Sequence, residues 1–341
     1  MEIHQKLKFW FQHEGRDLPW RHTKDPYLIW LSEVILQQTR VEQGLPYYWK
    51  FSERFPTVQD LAKANDDEVF RLWQGLGYYS RARSLLKTAR EIERSHQGIF
   101  PANYDALISL PGIGPYTAAA VASFAFNKAH PVLDGNVKRV VSRCIKLAEG
   151  IESKKANSVM HEWLNQNMDH NNPADFNQSI MELGALICTP RKPMCMRCPI
   201  QVHCLANQEG EEEKYPIKKA KTSKQVLHLA FAFAQNENQL LIQKRKPHGI
   251  WANLWELPSR ITQEFPVISD LEMDFPGVSN KDYTAVKLPS HLLSHREIRA
   301  QVFVFHYSGP ASEGQKWIAK SEIENHGFPR ILTRYFETSL P

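Results

Sequence analysis

Leu110-Pro-Gly-Ile-Gly-Pro-Tyr-Thr-Ala-Ala-Ala120, a further helical stretch, and then Leu133-Asp-Gly-Asn-Val-Lys-Arg139 decide how this chain is read. Gly112 and Gly114 stand between two helix-forming runs, so the backbone can turn sharply there with unhindered N–H groups. Pro115 opens the second helix, where its missing N–H costs nothing. Amides at a helix N-terminus bind a phosphate by direct hydrogen bonds and through the helix dipole. Asp134 follows one helix later and can return to the region that the phosphate occupies. A plain helix–turn–helix linker with Asp134 as an ordinary N-cap satisfies the same residues, so the rest of the chain has to choose.

The 341 residues are enough for two domains, each with its own core. A hydrophobic content of 42% and a charged content of 23% are ordinary for a folded soluble protein. The net charge of +5 is compatible with a polyanionic partner without requiring one. The small and apolar run from Ala118 to Phe126 is too short to span a bilayer. The opening Met-Glu-Ile-His-Gln-Lys lacks the apolar core of a secretory signal. A cytoplasmic protein with no membrane association is expected.

Of five cysteines, Cys188, Cys195, Cys198 and Cys204 are spaced Cys-x6-Cys-x2-Cys-x5-Cys. In a reducing compartment such clustering argues for a metal rather than disulfides. Four thiolates suit zinc and equally a [4Fe–4S] cluster. Cys144 lies in a helical run and reads as a small core residue.

The first 205 or so residues carry apolar side chains at three- and four-residue spacing between breaks at Pro56, Gly75-Leu-Gly77, Pro101 and Gly150. One helix is well marked, with Asp25 as N-cap, Pro26 in the first turn and Tyr27 to Thr39 following. Residues 207–224 are charged and nearly without apolar content, as in a solvated linker. Beyond Lys224 the pattern turns to period two, with Leu227, Leu229, Phe231 and Phe233 in one strand and Val302-Phe-Val-Phe in another. Helical propensity returns near 320–325 and 330–338, so this half reads as a smaller α+β or α/β domain.

Glu33 sits in the apolar helix beside Trp30, Ile29 and Gln37. A partly dry setting raises a carboxyl pKa and makes a proton donor available at neutral pH; a surface glutamate is the alternative. Cleavage of a glycosidic bond needs an acid at the leaving group and a carboxylate facing the developing sugar cation. Glu33 and Asp134 in different surroundings would supply the two roles.

The hairpin, its later aspartate and the cysteine loop resemble the helix-hairpin-helix DNA glycosylases related to endonuclease III. Within them the chain is similar to the adenine-specific MutY-type branch. The matching stretches are Leu18–Arg21, Trp30–Thr39, Gly75–Arg83, Leu110–Gly114, Leu133–Arg139 and the cysteine loop. The resemblance implies an all-α glycosylase unit over 1–206, with a six-helix lobe near 22–130 and an iron–sulfur lobe near 1–21 and 131–206. It implies a monomer acting on double-stranded DNA that holds adenine opposite 8-oxoguanine, with the adenine extruded from the stack.

On that resemblance Glu33 would protonate adenine N7 and later activate water, Asp134 would stabilise the sugar cation, and Asn136 would orient the Glu33 side. Trp20, Arg21 and Gln178 match residues lining the adenine pocket. Gln38 and Tyr78 match residues that wedge beside the lesion, and Gly112 and Gly114 would grip the backbone. Relatives that also cut the backbone carry a lysine at the position of Tyr116, whose amine forms a Schiff base. Tyrosine has no such amine, so the reaction should stop at an abasic site. The cysteine loop matches the family's [4Fe–4S] loop, which would present Arg191, Lys192 and Arg197 to phosphates.

Residues 225–341 resemble an α/β Nudix fold, with Gly249-Ile-Trp-Ala-Asn-Leu-Trp-Glu-Leu-Pro258 as the approach to that family's catalytic helix. The carboxylate run expected next is replaced by Ser-Arg-Ile-Thr-Gln-Glu-Phe-Pro. Mg²⁺-dependent diphosphate hydrolysis is therefore not expected. The domain should instead read the 8-oxoguanine strand, through Ser294 and His295, with Leu293 where the family has phenylalanine.

Overall fold

The computed structural model describes residues 2–218, 224–280, 282–293 and 295–339. Contacts divide the chain into two compact units, Met1–Lys63 with Ser84–Ala220, and Ala64–Arg83 with Lys221–Pro341. The helices run α1 (Ile3–Glu14), α2 (Pro26–Leu36), α3 (Val41–Arg54), α4 (Val58–Lys63), α5 (Asp66–Leu72) and α6 (Ser80–His96). They continue with α7 (Tyr104–Ser109), α8 (Pro115–Phe124), α9 (Gly135–Cys144), α10 (Lys154–Asn167), α11 (Pro173–Leu186) and α12 (Leu205–Gln208), and end with α13 (Arg330–Ser339).

In the first unit α2 starts where the sequence marks it. The Asp25 carboxylate accepts the Tyr27 amide at 2.8 Å, and Pro26 fills the first turn. The helix is apolar on almost every side and every residue from Ile29 to Ile35 is buried, so it lies inside the unit rather than on it. It ends at Leu36, short of the expected Thr39, and Gln38 just beyond takes a left-handed φ of 56°. The small side chains of α8, Thr117 to Ser123, are buried and let α2 pack closely. A second core joins Leu7 and Trp10 of α1 to Val137, Val140 and Val141 of α9, Met160 and Leu164 of α10, and Phe176, Ile180 and Leu183 of α11. Cys144 is buried there, as expected.

The hairpin between α7 and α8 is held by Gly112, at φ 83°. A Cβ there would sit 2.6 Å from that of Ser84, so only glycine fits. The first part of the expected linker is docked, not solvated. Ile217 accepts the Ile151 amide at 2.9 Å, and Glu209 and Glu211 pair with Lys146.

The second unit is built on a mixed sheet of β1 (Gln225–Asn236), β2 (Gln239–Lys244), β3 (Trp255–Glu256), β4 (Ser259–Thr262), β5 (Tyr283–Lys287), β6 (His291–Leu292), β7 (Arg296–His306) and β8 (Gln315–Ala319). The main path is β3-β2-β1-β7-β5. β1 runs parallel to β7 from Gln225↔Arg296 to Gln235↔His306. The period-two pattern puts Ala230, Ala232 and Ala234 on the face that packs on Leu271, Phe275 and Val278. Phe233 points the other way, edge-on to Tyr335 of α13 at 6.0 Å.

Contacts group residues 64–83, read from sequence as part of the helical unit, with this sheet. Asp67 pairs with Lys244, the Tyr79 hydroxyl donates to Phe328 O at 3.3 Å, and Arg83 Nη1 donates to Ala252 O at 2.9 Å. Beyond Pro258 the chain enters β4, where the Nudix resemblance led to a helix.

Candidate active site and cysteine loop

Glu33 is only 5% exposed, although a carboxylate in α2 could have faced solvent. The hydroxyl of Tyr116, in the first turn of α8, donates to Glu33 Oε2. Burial pushes the Glu33 carboxyl up to about 7, the Tyr116 hydrogen bond opposes this, the Asp134 charge adds to it, and the Arg21 charge opposes it. Two carboxyl groups thus share one electrostatic neighbourhood, and one of them keeps a proton near neutral pH.

Asp134 caps α9, and its other role follows from that cap. Its Oδ1 accepts the Val137 amide at 2.7 Å and its Oδ2 the Asn136 side-chain amide at 2.9 Å. Burial raises its pKa, while these hydrogen bonds and the Arg139 charge favour the anion. The arrangement suits an anion facing a transient cation.

The Asn136 side-chain amide thus bonds Asp134, where the resemblance implied that Asn136 orients the Glu33 side of the site. Its Oδ1 accepts from Arg139 Nη2 at 2.9 Å, and the same guanidinium donates to Gly184 O and Cys188 O, each at 2.7 Å. Gly184 allows this approach, because a Cβ there would stand 2.7 Å from that of Asn136.

Arg21 is engaged from several sides, and its charge reaches Glu33, whose ionised form it favours. Its Nη2 donates to Glu182 Oε2 at 2.8 Å, its Nη1 to Arg16 O at 2.7 Å, and it lies over the Phe11 ring at 4.8 Å. Arg16 holds the same carboxylate by a fork at 2.8 Å on each oxygen. Burial works to raise Glu182, but the hydrogen bonds from Arg16 and Arg21 outweigh it and hold it at about 2. Neither Glu182 nor Arg16 is signalled by a short motif. Trp20 is buried, edge-on to Tyr48 at 5.2 Å.

Gln178 is half-buried on α11, one turn before Glu182. Gln38 is exposed. Gly114 caps α8 with open space where a Cβ would be, leaving its backbone accessible beside that of Gly112. Tyr78 belongs to the second unit, 47% exposed at φ 47° after Gly75 and Gly77, both also at positive φ. His295 is exposed there, and its carbonyl accepts the Gln225 amide at 3.2 Å. Ser294 lies outside the described residues. Glu256, within the Nudix-like stretch, is buried against Arg245, Gln243 and Ser259.

Cys188, Cys195, Cys198 and Cys204 form no disulfide. Among the described residues no group of three or more histidine, cysteine, aspartate or glutamate side chains is gathered as a metal-ion site. The donor set is nonetheless thiol-only and partly dry. Burial pushes Cys195 up to about 11 and Cys198 up to about 12, while a hydrogen bond with Cys144 brings Cys204 down to about 7. Arg143 Nη1 donates to Cys188 Sγ at 3.2 Å. These features fit a thiolate-bound cluster. Arg191, Lys192 and Arg197 are exposed around the loop, with Arg197 paired to Glu14 at 3.1 Å.

Residues 31–166 match the HhH-GPD superfamily of base excision DNA repair proteins, and residues 229–338 match the NUDIX domain. The adenine DNA glycosylase of Buchnera aphidicola subsp. Acyrthosiphon pisum is 37% identical over 76% of this chain and 74% of its own. The human adenine DNA glycosylase is 42% identical over 61% of this chain and 40% of its own. Among solved structures, a thermostable thymine-DNA glycosylase matches at 31% identity and a TM-score of 0.56, covering 61% of this chain and 95% of that one. A non-covalent endonuclease III–DNA complex matches at 19% identity and a TM-score of 0.51, over 62% of this chain and 99% of that one, which speaks to fold alone. No helix among the described residues is long and apolar enough to cross a membrane.

Proposed function

The chain belongs to the adenine DNA glycosylases, and from that premise we propose that it hydrolyses the N-glycosidic bond of adenine paired with 8-oxoguanine or guanine in duplex DNA. The observation that carries this reading is the buried Glu33, held near neutral pKa by burial and bonded to Tyr116, with Asp134 in its electrostatic reach. The protonated Glu33 donates to adenine as the bond to the sugar breaks, and its carboxylate then takes a proton from water. Asp134, fixed by the Val137 and Asn136 amides, stabilises the sugar cation. Burial lifts the Tyr116 pKa well above its usual value, so its phenol stays a donor to Glu33. With no amine at that position the product is an intact abasic site.

The enzyme acts as a monomer, with the Gly112–Gly114 turn on a DNA phosphate. Gln178 lines the adenine pocket, Gln38 and Tyr78 enter the stack, and the segment around Ser294 and His295 reads the lesion strand. Cys188, Cys195, Cys198 and Cys204 hold a [4Fe–4S] cluster, which braces a basic loop when bound.

The thymine-DNA glycosylase likeness favours a second reading, excision of a mispaired pyrimidine. That structure is covered almost entirely by 61% of this chain, which leaves the sheet domain without a counterpart. Single-turnover excision on duplexes differing only in the mispair separates the two. Adenine opposite 8-oxoguanine should be removed fastest, then adenine opposite guanine; thymine released from a guanine mispair, with adenine untouched, overturns the proposal.

A further inference from the structure

Arg143 lies at the inner end of α9, and its side chain is 1% exposed. All three of its side-chain nitrogens donate. Nε donates to Glu212 O at 2.8 Å and Tyr215 O at 3.2 Å, Nη1 to Thr189 O at 2.8 Å and Cys188 Sγ at 3.2 Å, and Nη2 to Pro190 O at 3.3 Å. Every acceptor but one is a backbone carbonyl, and among the described residues no carboxylate forms an ion pair with it. Glu212 feels its charge, but the Glu212 carboxylate bonds to Asn207 and Cys195. A guanidinium is always ionised, and a buried cation with no anion is strongly disfavoured. No carboxylate bonds this charge directly among the described residues, and its Nη1 points at a sulfur.

We propose that Arg143 is the internal counter-cation of the cysteine cluster, donating an N–H···S bond to Cys188 and stabilising the cluster's more reduced state. This rests on reading the four thiolates as cluster ligands. A thiolate-bound cluster is net negative and becomes more so when it gains an electron. A fixed positive charge and a hydrogen bond to one ligand sulfur therefore favour reduction. A neutral side-chain amide could also donate to carbonyls and brace the loop, so the charge has a purpose that loop bracing alone does not explain.

The test compares wild-type holoenzyme with Arg143→Gln and Arg143→Lys, all purified without oxygen. Iron content, the sulfur-to-iron charge-transfer absorbance, the rate of iron loss to a chelator and the cluster midpoint potential are measured. Arg143→Gln should favour the oxidised state at least tenfold, a fall of about 59 mV for a one-electron couple, and lose iron faster. Arg143→Lys keeps the charge without the planar fork and should shift less, in the same direction. Arg143→Gln with unchanged potential and iron loss overturns the proposal. Should that variant fail to accumulate folded, Arg143→Lys decides, and an unchanged potential and rate again overturn it. Wild-type protein that binds no iron would defeat the cluster reading itself, a result distinct from an arginine with no effect.

Discussion

Replacing Glu33 by glutamine should make the protein more stable and nearly inactive, and the gain in stability should depend on pH in a defined way. The carboxyl ordinarily titrates at 4.5 and in the fold at about 7. Its folded-state value is raised, so the stability contributed by proton binding is fully present below 4.5 and is lost as pH rises through 7. Over that interval the unfolded chain releases a proton that the folded one keeps. At 1.36 kcal/mol per unit, the 2.5-unit difference amounts to about 3 kcal/mol at pH 8. At pH 5.5 the same linkage leaves about 1.4 kcal/mol, and at pH 4.5 about 0.4 kcal/mol. Glu33→Gln removes the titration, while the amide oxygen still accepts the Tyr116 hydroxyl. The stability gap over wild type should therefore widen between pH 4.5 and 8 by about 3 kcal/mol, measured by urea unfolding at a series of pH values. Single-turnover excision should fall by about 10²–10⁴-fold, because the acid is gone, while DNA affinity measured by anisotropy is retained. A gap that is flat with pH, or a variant less stable than wild type at pH 8, would refute the reasoning that burial holds this carboxyl protonated.

Tyr116→Phe deletes the hydrogen bond that favours ionised Glu33. The alkaline fall-off in single-turnover excision should move up by about one pH unit or more, and an unmoved limb would mean that the phenol does not tune the acid. Glu182→Gln strips the shared partner from Arg16 and Arg21. A loss of about 3 kcal/mol at pH 7 is expected from breaking a buried pair. Since the wild-type carboxyl is held down to about 2, that advantage exists above pH 4.5 and shrinks as pH falls through 2, which acid unfolding of the two proteins can follow. Gly184→Ala puts a Cβ 2.7 Å from that of Asn136. Overpacking should cost about 1–3 kcal/mol and lower the excision rate beyond what the reduced folded fraction explains; an unchanged rate constant would show that Asn136 tolerates the shift.

What could be read from the sequence was local. The Asp25 cap, the glycine turn and the cap at Asp134 are each set by a few adjacent residues, and they fixed the helix that carries Glu33 and the one that carries Asp134. The alternation from Leu227 onwards gave the strand, because its period follows from the pleat itself. Residues 64–83 look helical and do form a helix, but composition does not say which core a helix joins. The contacts of Asp67, Tyr79 and Arg83 decide that, with partners more than 160 positions away. Arg21 and Glu182 are likewise 161 positions apart, so the carboxylate that holds this arginine is one that no motif announces.

The Asn136 side chain marks the boundary between the two kinds of knowledge. Its bond to Asp134 is a consequence of standing two residues beyond an N-cap, and its bond to Arg139 of i,i+3 spacing on one helix face. Both follow from local helix geometry. What Arg139 reaches next, the carbonyls of Gly184 and Cys188, depends on how closely α11 and the cysteine loop approach α9. Gly184 permits that approach through the absence of a side chain, and an absent side chain leaves little trace in a single sequence. The position of the Asp134 carboxylate is thus set by local capping, while its rigidity is set by packing that only the folded chain reveals.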